Sequence, residues 1–518
     1  MAGSSNFRRD IQGLRALAVA AVVIFHVWPG ALPGGYVGVD VFFVISGYLI
    51  TGLLLREQES NGKINLAGFY ARRIRRLLPV ASVTLLCTCL AAAFLMSPTE
   101  LGGLAREVIA SAFYVENWLL VSRSVDYLAQ DIAPSPAQHF WSLSVEEQFY
   151  IFWPALMLLA AAAGRRCGWQ VRRSVGAALV LVLLCSLAYG ILVSFTDPAP
   201  GYFLTSTRIW ELAMGGVLAL MPLAAPGRVG GRIAGWLGFS LIVAACVFYT
   251  TRLPFPGYEA LVPVLGAMLL LHARLTSEGV LGRMLCSPPA QYLGELSYSI
   301  YLWHWPVVVF YPLLTGRAVA HLQDGVVVVL LSIGLAHISK YLIEDRFRHG
   351  VPGERFRPWV VGGLLTFAVV AGAFSLQQLG ASGGAAKLTG DATSTAGPGD
   401  PMAARNDLAD AYAENCISPS RGEDVRVCRY GDAKGRPVVA VGDSHMVHWL
   451  PALSAIARER GIDLHAITKT GCALMTLQES EVDTPERRSC AVWNAAAMRY
   501  IADIKLNRPG FCRHSSAV

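Results

Sequence analysis

Apolar residues fall in long runs along this chain, not in the short alternations of a soluble core. Eleven runs, 11–28, 36–55, 77–96, 141–163, 174–194, 205–221, 233–250, 258–273, 292–314, 321–343 and 357–377, come near the length a helix needs to cross a bilayer. The run at 101–121 is interrupted by Arg106, Glu107 and Glu116 and reads as an interfacial or re-entrant segment. The predicted architecture is a multi-pass α-helical membrane domain of about ten core helices over 1–350, plus one further helix over 351–377. Residues 378–405 hold a Gly/Ala/Ser/Thr-rich tract, Gly380 to Pro401, that reads as a flexible linker. Over 406–518 the composition is that of a water-soluble domain. There a strand ending at Gly442-Asp443-Ser444-His445, a helix over Met446–Arg460, a stop at Gly461 and a strand over Ile462–Ile467 open an α/β fold.

Composition agrees with membrane residence: 54% of the chain is hydrophobic and 15% charged. The first run follows Phe7-Arg8-Arg9-Asp10 with no small-residue cleavage signal, and is expected to be a retained helix. Basic residues alternate from loop to loop. One set of loops holds Arg8, Arg9, Arg56, Lys63, Arg72, Arg73, Arg75, Arg76 and many more, whereas the opposite set holds Arg106, Arg123, Arg252 and Arg317. The positive-inside rule then predicts a cytoplasmic N-terminus and an external C-terminal domain. The net charge of +7 is mostly this topology signal, so nucleic acid is not an expected partner. Cys416, Cys428, Cys472 and Cys490 lie in the external domain, where disulfides are permitted. Three connectivities are open, and nearest-neighbour pairing is the expectation. Cys512 is left over.

Ionisable residues within the runs are the candidate chemistry. Arg15 and His26 are eleven residues apart, so they share one helical face about 16 Å apart along the axis. An intramembrane Arg and His mark a site by default, though snorkelling and helix packing account for such residues too. Asp40 opens the second run at the end where His26 leaves the first, where it can orient the imidazole or cap a helix. The loop Arg72-Arg73-Ile-Arg75-Arg76 determines topology, and a helical Arg72/Arg76 or Arg72/Arg75 pair also suits phosphate. His139, Ser142, Glu146 and Glu147 lead into the fourth run, with Ser142, Glu146 and Tyr150 spaced i,i+4. Tyr301 and His304 sit in the ninth run. These groups suit sugar hydroxyls or acid–base work, or else an interfacial belt.

The blocks Arg15-x10-His26, Gly-Val-Asp-Val-Phe-Phe-Val-Ile-Ser-Gly-Tyr, Arg-Arg-Ile-Arg-Arg-Leu-Leu-Pro, His-Phe-Trp-Ser-Leu-Ser-Val-Glu-Glu-Gln-Phe-Tyr and Tyr-Ser-Ile-Tyr-Leu-Trp-His-Trp-Pro occur in that order. Over residues 7 to about 350 the chain resembles the acyltransferase 3 family of membrane O-acyltransferases. It is similar to bacterial members with a fused periplasmic SGNH domain, which O-acetylate lipopolysaccharide O-antigen or other envelope glycans. The resemblance implies acetyl-CoA as acyl donor and no metal. It implies Arg15, Arg72, Arg73, Arg75 and Arg76 as its binding residues, and His26 as general base or acyl acceptor oriented by Asp40. It further implies His139, Ser142, Glu146, Glu147, Tyr301 and His304 at the acceptor, a glycan, and a bacterial inner-membrane location. A polytopic transporter or flippase is the alternative, but paired broken half-helices in repeated halves are not seen.

In the last domain the resemblance makes Ser444 the nucleophile and Gly471 an oxyanion donor. The pattern departs from the family after Asn494, where neither an oxyanion-block Asn nor an Asp-x2-His pair follows. The expectation is an incomplete SGNH domain in which Ser444 is present without its base.

Overall fold

The computed structural model describes residues 8–124, 135–196, 198–221, 227–250, 253, 255–317, 319, 321–348, 357–386, 410–475 and 485–506. The chain divides into two compact units, 1–384 and 385–518.

The first unit is helical: α1 Arg9–Val27, α2 Gly38–Asn61, α3 Leu66–Leu95, α4 Pro98–Ala112, α5 Glu116–Ser124, α6 Phe140–Arg166, α7 Val171–Thr196, α8 Pro198–Phe203, α9 Thr205–Leu220, α10 Arg228–Phe248, α11 Leu261–Ala273, α12 Val280–Leu285, α13 Pro288–Thr315, α14 Leu322–Ser339, α15 Asp345–Arg348 and α16 Arg357–Ala386. All eleven predicted runs are helical. Among the described residues, seven helices are long and apolar enough to cross a membrane. The other four predicted runs are of two kinds. Helices α9 and α11 are short, at 16 and 13 residues. Helices α6 and α13 are long but carry polar residues such as Ser142, Glu146, Glu147, Ser297, Ser299 and His304. The interrupted run at 101–121 is two helices, α4 and α5, with Tyr114 between them at φ +54°.

Local signals fix the helix ends. Asn65 caps α3 by accepting from the Gly68 amide at 2.9 Å, and Ser97 with Glu100 forms a capping box on α4 behind Pro98. A π-helical turn, Lys340–Glu344, joins α14 to α15 and carries Glu344. Helix α16 runs on to Ala386, past the boundary expected at 377, because the Gly/Ala-rich tract there contains no proline to stop it. Residues 387–405 of the expected linker lie outside the described residues.

Helices α2 and α9 pack through glycine. A Cβ on Gly47 would overlap the Leu212 carbonyl, and one on Gly215 the Val44 carbonyl, so the two backbones touch. Conversely, Leu181, Leu192, Leu330, Leu364 and Phe367 face outward from α7, α14 and α16, as a lipid solvent requires.

The second unit has β1 Ile417–Ser418, β2 Val427–Gly431, β3 Arg436–Gly442 and β4 Ile462–Lys469. Strand β4 is central, parallel to β1 and β3 and antiparallel to β2. Every β4 residue after Ile462 is buried, as a parallel central strand requires. Helices Ser444–Arg460 and Pro485–Leu506 flank the sheet, and Trp493 is fully buried against Ile467 and Ala497. The disulfides are Cys416–Cys428 and Cys472–Cys490, the nearest-neighbour connectivity. Cys512 lies outside the described residues.

Candidate functional site

Two neighbouring cavities with lining residues in common lie inside the helical unit. A vestibule of about 1110 Å³ is lined by seven arginines, Arg8, Arg9, Arg15, Arg56, Arg76, Arg274 and Arg348, against two carboxylates, Glu295 and Glu344. That volume is at the top of the usual range for small-molecule sites. The charge excess selects a polyanion, and guanidinium forks suit phosphate. Arg15, Leu49, Arg56 and Arg76 also line a second chamber of about 280 Å³. Its remaining wall is apolar (Val39, Phe42, Phe43, Ile50, Leu53, Leu77, Leu143) with a polar strip of Ser46, Arg73, Ser142, Glu146, Glu147, Tyr150 and Tyr301.

The strip is tightly bonded. Glu146 accepts from Ser46 and contacts Tyr150, whose phenol donates to Ser46 Oγ at 3.0 Å. Arg73 lies over the Tyr150 ring at 5.7 Å, with its buried Nε lacking a hydrogen-bond partner among the described residues. Ser142 Oγ meets the Tyr301 phenol at 2.5 Å, and Tyr301 donates to the His139 carbonyl at 3.1 Å.

Beyond Tyr301 stands a histidine group. His304 Nδ1 lies 2.6 Å from the Tyr301 carbonyl, so that nitrogen carries the proton and Nε2 accepts. His26 Nδ1 is 3.0 Å from His304 Nε2 and must therefore donate. The lone pair is then left on His26 Nε2, which makes that nitrogen the basic one. His139 packs edge-on against His304 at 5.8 Å, and Trp305 packs on His26 at 4.5 Å.

This corrects the role of Asp40. Its carboxylate is fully buried and lies 3.1 Å from Arg208, which also pairs with Glu211 at 3.3 Å. Phe43, Trp141, Tyr202 and Phe255 surround the Arg208 guanidinium at 5.3–5.6 Å. A buried carboxylate takes the nearest countercharge, and in the first turn of α2 that is Arg208, so His304 holds the tautomer instead.

The arginine loop is also corrected. It is helical, within α3, but Arg73 and Arg76 turn inward. Arg72 is exposed and pairs with Glu57 at 3.5 Å, and Arg75 bonds the Ala71 carbonyl at 3.3 Å. Neither lines the vestibule or the chamber. Arg8, Arg9, Arg56, Arg274 and Arg348, which the loop count read only as topology, line the vestibule. Arg208 and Glu211 went unnoticed, although the rule that singled out Arg15 applies equally to them.

In the second unit Ser444 starts a helix at the end of β3. Asp443 caps that helix by accepting from the His445 amide at 3.0 Å. Gly442 pairs with Thr468 in a parallel ladder, which puts Ser444 and Gly471 just past the C-terminal ends of β3 and β4. Among the described residues, no histidine or carboxylate bonds the Ser444 hydroxyl.

Together these features define a polytopic helical protein with an arginine-lined internal path, followed by a small α/β unit. The chain belongs to the acyltransferase 3 family. Its acyltransferase domain matches residues 8–377, and the SGNH domain that is fused to such domains matches residues 415–509. The peptidoglycan O-acetyltransferase OatA of Listeria monocytogenes is 31% identical over 400 residues, 73% of this chain and 64% of its own length. The O-acetyltransferase OatA of Staphylococcus aureus is 33% identical over 356 residues, 67% and 58% respectively. The chain thus spans less than two thirds of the length of these curated relatives. No solved structure matches significantly.

Proposed function

We propose that the protein is a membrane O-acetyltransferase that moves an acetyl group from cytoplasmic acetyl-CoA to a hydroxyl of an envelope glycan outside. The seven-arginine vestibule and the small chamber beside it, which share Arg15, Arg56 and Arg76 in their walls, carry this reading. Guanidinium groups hold the donor's phosphates, and the narrow chamber admits its thioester arm. His26, with Nε2 basic, takes the proton of the acceptor hydroxyl. The OatA relatives support acetyl as the group and an envelope glycan as the acceptor. The basic-loop count supports the cytoplasmic side for the vestibule.

The test is the ester-linked acetate on purified peptidoglycan and on lipopolysaccharide, by NMR, from cells with and without the gene. His26→Ala is expected to lower it to the level of the deletion, and unchanged acetate in His26→Ala would overturn the reading. His304→Phe, which removes the acceptor that holds the His26 tautomer, is expected to lower activity about a hundredfold.

A further inference from the structure

The arginine-lined path does not end at His26. Its chamber is lined by Ser46, Glu146 and Tyr150 and runs on to Ser142 and Tyr301, while His26 lies outside that lining. We propose that Ser46 is a nucleophile that carries the acyl group covalently, with Glu146 as its base, as a first half-reaction upstream of His26. The inference rests on the donor chemistry of the proposed function.

Geometry favours Ser46 over Ser142, Tyr150 and Tyr298, and over Ser297, whose buried Oγ has no hydrogen-bonded base among the described residues. Ser46 donates to a carboxylate, the arrangement that activates a serine. Ser142 is engaged with Tyr301 and the His139 carbonyl. Tyr298 donates to the Leu77 carbonyl. Tyr150 shares Glu146 but is buried, whereas Ser46 and Glu146 are partly open on the chamber. The phenol of Tyr150 fixes the Ser46 oxygen from its other side at 3.0 Å. Arg15, Arg73 and Arg76 line the same chamber, and Arg73 Nε is unpartnered, so cationic donors stand ready for negative charge developing on a carbonyl oxygen.

The step balances without an added reactant. Ser46 Oγ attacks the thioester carbonyl while Glu146 takes its proton. The tetrahedral adduct collapses with cleavage of the C–S bond, and the proton passes from Glu146 to the departing thiolate. The products are an acyl-serine and a free thiol. In the onward transfer an acceptor hydroxyl attacks the serine ester, the bond to Ser46 breaks, and the acceptor's proton ends on the Ser46 oxygen.

Full-length protein in detergent, incubated with acetyl-CoA, acid-quenched and digested, tests this by mass spectrometry. An acetyl ester on the peptide containing Ser46 is expected, with higher occupancy in His26→Ala, where onward transfer is blocked. Ser46→Ala should lose the adduct, and Ser46→Cys should regain it as a thioester. Glu146→Gln should slow its formation about a hundredfold. Calorimetry with acetyl-CoA on the same samples separates the two proposals. Binding with no acyl group on Ser46, or with one on another residue, overturns the covalent step alone. No binding overturns the donor chemistry and this step with it.

Discussion

At the residue scale, partners decide what each charge does. Arg208 neutralises two buried carboxylates, so Arg208→Leu leaves Asp40 and Glu211 facing each other without a cation. The expected loss is about 3–5 kcal/mol, read as a lower unfolding temperature in detergent. Arg208→Lys keeps the charge but loses the planar fit between four rings, and should fall between wild type and Leu. In the second unit, burial works against ionisation of Asp463, but the hydrogen bonds from Arg429 and the His465 ring 3.1 Å away outweigh it and hold its carboxyl below the usual range. A carboxyl so lowered stabilises the fold above its unfolded value, and the contribution is lost as pH falls through the folded value. Unfolding followed from pH 7 to pH 2 should therefore show an acid loss that Asp463→Asn lacks; an identical loss in both proteins would refute the assignment. The residue types at the site were legible in the sequence, because an Arg, His or Glu inside an apolar run is costly and stands out. Their partners were not. His304 and Arg208 reach His26 and Asp40 only after α13 and α9 take up their rotations about their own axes. The choice of Arg73 over Arg72 is likewise a rotation of α3.

At the element scale, helices were legible and their contacts were not. An apolar run fixes where a helix lies along the chain, whereas small residues set how closely two helices approach. Gly47 follows Ser46 on α2 and rests against the Leu212 carbonyl of α9. Gly47→Ala is expected to cost about 1–3 kcal/mol by forcing the helices apart, and to lower the proposed acetyl transfer because Ser46 moves with the turn. Gly334 on α14 meets nothing within 4 Å, so Gly334→Ala should be neutral or gain up to about 1 kcal/mol. Equal effects of the two substitutions on thermal stability would refute the close-packing account. Strands β1 and β2 and the helix Pro485–Leu506 escaped the sequence pattern for a related reason. They are short or weakly periodic, and two disulfides with the buried Trp493 hold them in place.

At the scale of the whole molecule, one charge pattern serves two ends. Arginines that the positive-inside rule assigns to one side of a membrane also line the vestibule, which is why a loop count recognises the first role and misses the second. The distinction is measurable. On the proposed acetyl-CoA donor, an analogue lacking the 3′-phosphate should lose one or two charge-assisted hydrogen bonds, so its KM should rise about tenfold to a hundredfold with kcat little changed. Arg56→Gln and Arg348→Gln, on the vestibule wall, should raise KM for acetyl-CoA in the same way. Arg72→Gln should not, since Arg72 faces outward and pairs with Glu57. Added salt should weaken donor binding in the wild type more than in the vestibule variants, because each removed guanidinium removes one screened interaction. If Arg72→Gln raised KM as much as Arg56→Gln, phosphate recognition would lie on the outer face of α3, as the spacing of the basic loop first suggested, and the vestibule would lose its assignment as the donor's mouth.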